Sequence, residues 1–84
     1  MKIFTDKGWQ DYCHWIGEKN ILRRLNRMIE EAERNPGVGI GKPERLQANL
    51  SGYWSRRITD ADRLVYKVED GDITIVAARY HYED

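Results

Sequence analysis

The sequence has little cysteine and no long apolar stretch. Cys13 is its only cysteine, so no disulfide can form within the chain, and a reducing compartment suits it best. The longest apolar run, residues 75–78, is far shorter than a membrane-spanning helix or the core of a secretory signal. We therefore expect a soluble, unprocessed cytoplasmic protein with no membrane association. Its 84 residues are enough for one domain, which we expect to span residues 1–84.

The chain also lacks net charge, because 14 lysine and arginine residues balance 14 aspartate and glutamate residues. Nucleic-acid-binding proteins are usually basic overall, so the total argues against a simple binder of that class. The distribution is uneven, however, since residues 41–67 contain three more basic than acidic side chains. Phosphate responds to the local field, so the neutral total does not exclude RNA binding, for which Lys42, Arg56 and Arg57 are the candidate contacts; we expect weaker binding than for a strongly basic protein.

Apolar periodicity predicts two helices in the N-terminal half. Thr5 or Asp6 can cap the first helix. Its apolar stripe consists of Trp9, Tyr12, Cys13 and Ile16. The second helix is predicted to begin after an N-cap at Asn20 and to end at residues 35–37. Its stronger stripe consists of Ile21, Leu22, Leu25, Met28, Ile29 and Ala32. A short turn between them predicts a helical hairpin with a shared apolar side.

The remaining segments follow the period-two pattern of strands. Residues 1–4 predict a short opening strand, and Asp70-Gly71 predicts a two-residue hairpin turn. If Leu64 and Tyr66 face the helices, Arg63 faces the opposite side of the sheet. Residues 73–82 are predicted to form the longest strand. The fold class is therefore α+β with the order βααβββ, a two-helix hairpin packed on a twisted antiparallel sheet.

Strict alternation along the last predicted strand sorts its side chains into two sets. One set consists of Ile73, Ile75, Arg79 and His81. The other consists of Thr74, Val76, Ala78, Tyr80 and Tyr82. Periodicity does not decide which set is buried.

The polar residues of the C-terminal half suggest chemistry only as a set. Alone, His81 is most simply a surface histidine, Glu44 a solvated loop carboxylate, and Arg56-Arg57 one outward and one partly covered arginine. Together they contain a base, an acid and positive charge. An RNA-cleaving enzyme needs little more, because RNA supplies its own 2′-hydroxyl nucleophile.

Two other features do not indicate a cofactor site. The glycine-rich residues 37–41 follow a helix rather than a strand, so a flexible connector is predicted instead of a nucleotide-binding loop. His14 has no partner at metal-ligand spacing. We therefore expect neither a metal nor an organic cofactor.

Four ordered segments resemble the YoeB group of the RelE/ParE toxin superfamily. They are Gly41-Lys42-Pro43-Glu44, residues 49–58, Arg63-Leu64-Val65-Tyr66 and Arg79-Tyr80-His81-Tyr82. The resemblance spans essentially the whole chain and implies a RelE-like fold. It also implies metal-independent cleavage of messenger RNA in the ribosomal A site, which inhibits translation. The implied partners are the ribosome with its mRNA and a cognate antitoxin, and homodimers are common in this group.

The resemblance also implies roles for individual residues. Glu44 would be the general base, His81 the general acid and Arg63 the cation that stabilises the phosphate, with Tyr82 beside them. The chain departs from the pattern at Gln47, where these toxins tend to have a lysine, and in the added residues 83–84. Two alternatives stay open: a superfamily member that inhibits a protein such as DNA gyrase, and a module that blocks ribosomes or RNA without cutting.

Overall fold

The computed structural model describes residues 1–80 of the chain, which form a five-stranded sheet with two helices on one face. The strands are β1 (Lys2–Phe4), β2 (Glu44–Arg45), β3 (Trp54–Arg57), β4 (Arg63–Glu69) and β5 (Asp72–Ala77). The helices are α1 (Asp6–His14) and α2 (Lys19–Arg34), and a short 3₁₀ turn covers Ala48–Leu50. Neither α1 nor α2 is long and apolar enough to cross a membrane.

The sheet has the strand order β1-β5-β4-β3-β2, and its pairings are antiparallel except that β1 lies parallel to β5. This architecture confirms the predicted α+β class and the helical hairpin packed on a mostly antiparallel sheet. One strand was not predicted: Glu44 lies in the two-residue edge strand β2 rather than in a loop. Two residues are too few to show a period, so β2 leaves no pattern in the sequence.

Helix α2 and the sheet share the main core. The predicted stripe of α2 is confirmed, since Leu25, Met28, Ile29 and Ala32 are buried and Ile21 and Leu22 pack against them. The core also contains Leu64 and Tyr66 of β4. These two side chains therefore face the helices, as predicted. The start of α2 differs from the prediction: the helix begins at Lys19, and Glu18 occupies the N-cap without a side-chain hydrogen bond.

Helix α1 begins as predicted but presents a different face to the sheet. The Thr5 side chain accepts the Gly8 N–H at 3.1 Å. The predicted stripe is only partly right: Tyr12 packs against the core, whereas Trp9 and Ile16 are 52% and 59% exposed. Gly8 and Asp11 are buried instead, and Trp15, just past the helix, is buried beside them.

Close contacts with the end of β5 determine the rotation of α1. A Cβ atom on Gly8 would overlap the Ile75 carbonyl oxygen, so only glycine permits this approach. Asp11 accepts the Ala78 N–H at 3.0 Å, and the Trp15 indole N–H donates to the Ala78 carbonyl at 2.7 Å. These polar groups are buried because they are hydrogen-bonded, which apolar periodicity does not detect.

The hairpin between β4 and β5 contains one predicted and one unpredicted feature. Asp70 and Gly71 both have positive φ, 52° and 81°, which confirms the two-residue turn. The register shifts between Val65 and Tyr66 of β4: Tyr66 pairs with Ile75 and Val65 with Ala77, so Val76 is the extra residue in β5. The extra residue reverses the alternation, so Ala78 joins the core with Ile75. The predicted faces of β5 are therefore wrong beyond the bulge. β5 also ends at Ala77, and β4 is the longest strand among residues 1–80.

Candidate active site

Strand register places Glu44, Arg57 and Arg63 on the same face of the sheet. Glu44 pairs with Ser55 across β2 and β3, and Arg57 pairs with Arg63 across β3 and β4. Directly opposed residues share a face, and so do residues two apart along a strand. We call this side, which lies away from the helices, the open face. It carries Glu44, Ser55, Arg57, Arg63 and Val65.

The spacing on the open face suits a phosphodiester group. Glu44 lies two strands from β4, which is roughly 10 Å at the usual strand separation. Arg63 is two residues along β4 from the row of Glu44 and Ser55, a further offset of roughly 7 Å. The two Cα atoms are therefore about 12 Å apart by this geometry. Two long side chains based about 12 Å apart can both reach a phosphate that lies between them.

Arg63 is oriented by the loop that joins β3 to β4. Its Nη1 donates to the carbonyl oxygens of Thr59, Asp60 and Asp62 at 2.9, 3.2 and 3.1 Å. Three acceptors on one nitrogen restrict the rotamers of a long side chain, so the guanidinium keeps a defined position against this loop. Arg57 is exposed. Arg57 and Arg63, which pair across β3 and β4, give this part of the open face positive charge.

Lys42 is exposed and lies two residues before Glu44. It follows Gly41, whose carbonyl accepts the Arg57 N–H at 2.6 Å. Gly41 has φ of 90°, and a Cβ there would be 3.0 Å from the Met28 sulfur, so this position favours glycine for both conformation and space. The bond from Arg57 therefore ties the entry of β2, with Lys42 and Glu44, to β3.

The prediction of an RNA contact for Arg56 is wrong, because its side chain has 0% exposure. Its Nε donates to the Tyr66 hydroxyl at 2.8 Å, and its guanidinium donates to backbone carbonyls between helix α2 and β2. These carbonyls belong to Asn35, Pro36, Val38 and Ile40. We call this set of contacts the Arg56 clamp. Alternation explains it, since Arg56 faces the core when Arg57 faces outward.

Two groups complete the electrostatics of the Arg56 clamp. Glu31 lies 3.8 Å from the guanidinium and accepts the Ile40 N–H at 2.8 Å. That hydrogen bond, with those from Arg27 and the charge of Arg56, lowers the pKa of Glu31. Burial raises the pKa of Tyr66, and the nearby Arg56 partly opposes the shift. Tyr66 therefore stays neutral and donates to the Pro36 carbonyl at 2.6 Å.

The predicted acid His81 and its neighbour Tyr82 lie outside the described residues. The structure does describe Tyr80, the residue that immediately precedes His81. The Arg63 N–H donates to the Tyr80 carbonyl at 2.9 Å, and Asp62 accepts the Tyr80 N–H at 2.6 Å. Asp62 was not among the predicted site residues. The spacing Thr-x-x-Asp over residues 59–62 was the available signal, because such side chains often bond to each other in tight turns.

The chemistry available on the open face is that of a base and a phosphate-binding pair. Glu44 can accept a proton, and Arg57 and Arg63 can stabilise negative charge on a phosphoryl group. Within residues 1–80, no group of three or more histidine, cysteine, aspartate or glutamate side chains is arranged to hold a metal ion.

Comparisons with known proteins agree with this arrangement. The family model described as a YoeB-like toxin of bacterial type II toxin-antitoxin system matches residues 4–82. Toxin YoeB of Streptomyces coelicolor is 54% identical over 84 residues, covering 98% of this chain and 100% of that protein. A YoeB-YefM complex from Staphylococcus aureus has a TM-score of 0.88 at 39% identity, covering 98% of this chain and 97% of that chain. A YoeB dimer from the same organism has a TM-score of 0.86 at 40% identity, covering 96% and 95%. The chain therefore belongs to the YoeB-like toxins of bacterial type II toxin–antitoxin systems.

Proposed function

We propose that this toxin is a ribosome-dependent endoribonuclease that cleaves messenger RNA in the ribosomal A site and so inhibits translation. The observation that carries the proposal is the open face, where strand register groups Glu44 with Arg57 and Arg63. A toxin that only blocks a protein target has no need of a carboxylate opposite two phosphate-binding arginines. Membership of the YoeB-like family supports the same function.

In the proposed reaction, Glu44 accepts the proton of the RNA 2′-hydroxyl, and the resulting oxyanion attacks the adjacent phosphorus. Arg63 and Arg57 stabilise the negative charge that grows on the phosphoryl oxygens. His81 donates a proton to the 5′-oxygen as its bond to phosphorus breaks, with Tyr82 beside it. The products are a 2′,3′-cyclic phosphate and a 5′-hydroxyl. Every atom comes from the RNA and the two protein groups, so the scheme uses no metal or organic cofactor.

The proposed partners follow from the relatives. One solved relative is a YoeB-YefM complex and another is a YoeB dimer, which supports a cognate antitoxin and a homodimer for this chain as well. The proposed substrate is mRNA on the ribosome, so we place the protein in the cytoplasm. Lys42, exposed beside Glu44, is the proposed additional RNA contact, and the ribosome is expected to align the RNA for attack.

The proposal is tested by mapping RNA ends after mixing the protein with programmed ribosomes. Cleavage confined to the A site, leaving a 2′,3′-cyclic phosphate, is expected. Glu44→Ala and His81→Gln should each slow single-turnover cleavage by roughly 10²–10⁴-fold while ribosome binding persists. Arg63→Ala should weaken both binding and cleavage, because its charge acts on the phosphate before and during the reaction.

Arg45→Ala is the matched control for the arginine variants. Arg45 is next to Glu44 but pairs with Trp54, on the face covered by the helices, and its guanidinium lies 5.0 Å from the Trp54 ring centre. Its removal should leave cleavage nearly unchanged. Protein treated with EDTA before it is added to intact ribosomes should cleave at the untreated rate. Ribosomes blocked without new RNA ends would instead support a non-cutting inhibitor.

A further inference from the structure

The loop between β3 and β4 holds the backbone of Tyr80 through two adjacent residues. The Asp62 Oδ1 accepts the Tyr80 N–H at 2.6 Å, and the Arg63 N–H donates to the Tyr80 carbonyl at 2.9 Å. The second Asp62 oxygen accepts the Thr59 hydroxyl at 2.7 Å, which orients the carboxylate. Both polar backbone groups of Tyr80 are therefore bound to the loop that also orients the Arg63 guanidinium.

Tyr80 adopts a backbone conformation that needs such support. Its φ of 67° lies in the left-handed region, which bulky side chains rarely occupy. A strained residue of this kind persists only where surrounding contacts determine its conformation. Here β5 has already ended at Ala77, so strand pairing does not hold Tyr80. Within residues 1–80, the hydrogen bonds that stabilise this turn come from Asp62 and Arg63, and the Arg79 guanidinium lies 4.6 Å from the centre of the Tyr80 ring.

We propose that Asp62 is a positioning residue for RNA cleavage, acting through the backbone of Tyr80. This inference rests on the proposed function, because Tyr80 immediately precedes the proposed acid, His81. The two hydrogen bonds fix the backbone of Tyr80 next to Arg63, the residue proposed to bind the phosphate. The residue that precedes the proposed acid therefore has a defined position. A displacement of about 1 Å in a reacting group can slow a reaction about 100-fold, so a single backbone hydrogen bond can control the rate.

Asp62 itself is not expected to contact RNA. Its two carboxylate oxygens already accept hydrogen bonds from Tyr80 and Thr59. Its negative charge would also repel a phosphate, so a direct contact would be unfavourable. Its effect should therefore be seen in the cleavage rate of bound complexes rather than in ribosome affinity. This division separates positioning from substrate binding.

Three variants separate the hydrogen bond from the charge. Asp62→Ala removes both bonds, whereas Asp62→Asn keeps an acceptor for the Tyr80 N–H and a group that can pair with the Thr59 hydroxyl. Asp60→Ala is the matched control, because it removes an exposed carboxylate from the same loop while its side chain makes no hydrogen bond within residues 1–80.

The readouts are single-turnover cleavage by ribosome-bound protein, the bound fraction, and hydrogen exchange of the Tyr80 amide. Asp62→Ala should cleave roughly 10–100-fold more slowly at an unchanged bound fraction, with faster exchange at Tyr80. Asp62→Asn should recover most of the rate and the amide protection, and Asp60→Ala should match the wild type. A role limited to folding would not produce slow cleavage by a folded, fully bound variant with rescue by asparagine.

Different results would overturn different parts of this inference. If Asp62→Ala cleaves at the wild-type rate although Tyr80 has lost protection, the positioning role is wrong while the nuclease proposal stands. If wild-type protein and Asp60→Ala both fail to cleave, the proposed function fails and the positioning role fails with it. Should Asp62→Ala not fold, Thr59→Val replaces it. That variant removes the hydroxyl that orients Asp62, and faster exchange of the Tyr80 amide at an unchanged cleavage rate would again refute positioning.

Discussion

Replacing Arg56 by methionine should strongly destabilise the protein, because the Arg56 side chain is buried and donates most of its hydrogen bonds to backbone carbonyls. The substitution keeps most of the side-chain volume but removes donors to Tyr66 and to four carbonyls. Hydrogen bonds from charged donors contribute about 1.5–3 kcal/mol each, although such values do not add. Breaking a buried charged interaction by removing one partner costs about 3–5 kcal/mol. We expect a loss in that range.

That loss would be a large part of the total stability of the fold. A domain of this length typically has an unfolding free energy of about 4–13 kcal/mol. Urea unfolding followed by tryptophan fluorescence and circular dichroism measures the change directly. With a urea slope of about 1–2 kcal/mol/M, the Arg56→Met midpoint should fall by about 1.5 M or more. Arg57→Met is the control, since Arg57 is exposed and its loss should cost less than about 0.5 kcal/mol. An Arg56→Met protein within about 1 kcal/mol of wild type would refute the structural role of this arginine.

The other two predictions concern the packing of α1 and the acid sensitivity of the clamp. Gly8→Ala should lower the unfolding free energy by about 1–3 kcal/mol, because the added methyl group meets the Ile75 carbonyl. Alanine is the better helix former, so a raised urea midpoint would contradict this close approach. The pKa of Glu31 is lowered in the folded state, chiefly by the hydrogen bond from the Ile40 N–H. Glu31 therefore stabilises the fold at pH values above its ordinary pKa of 4.5, and this contribution is lost as the pH falls through the folded-state pKa. Glu31→Gln should therefore be less stable than wild type at pH 7 and show a smaller loss on acidification, and equal losses in both proteins would exclude this linkage.

The burial of a side chain could be predicted from the sequence where it follows from the periodicity of the helix or strand. The stripe of α2 and the alternation of Leu64 and Tyr66 predicted the main core, and Arg63 was correctly assigned to the opposite face. Asp70-Gly71 predicted its turn, because few residue pairs accept positive φ at both positions. These features are local, so the sequence carries them directly.

The failures share a different physical origin. The face of α1 depends on Gly8 and Asp11, whose burial comes from a close backbone approach and specific hydrogen bonds. The bulge at the end of β5 brings Ala78 into the core instead of onto the opposite face, and a one-residue shift leaves composition unchanged. Arg56 and Arg57 are identical in type, so only strand register could identify which of them is buried.

The Arg56 clamp also explains how a two-residue edge strand can hold Glu44 in place. Strand β2 pairs with β3 at only two positions, which is a weak constraint by itself. The segment leading to β2, however, is bound through the carbonyls of Val38 and Ile40 to Arg56, and Gly41 accepts the N–H of Arg57. The buried arginine thus fixes the path toward Glu44, while its exposed neighbour faces the same side as Glu44. Loss of the clamp should therefore disturb the proposed base before it disturbs Arg63, which is held separately by its own loop.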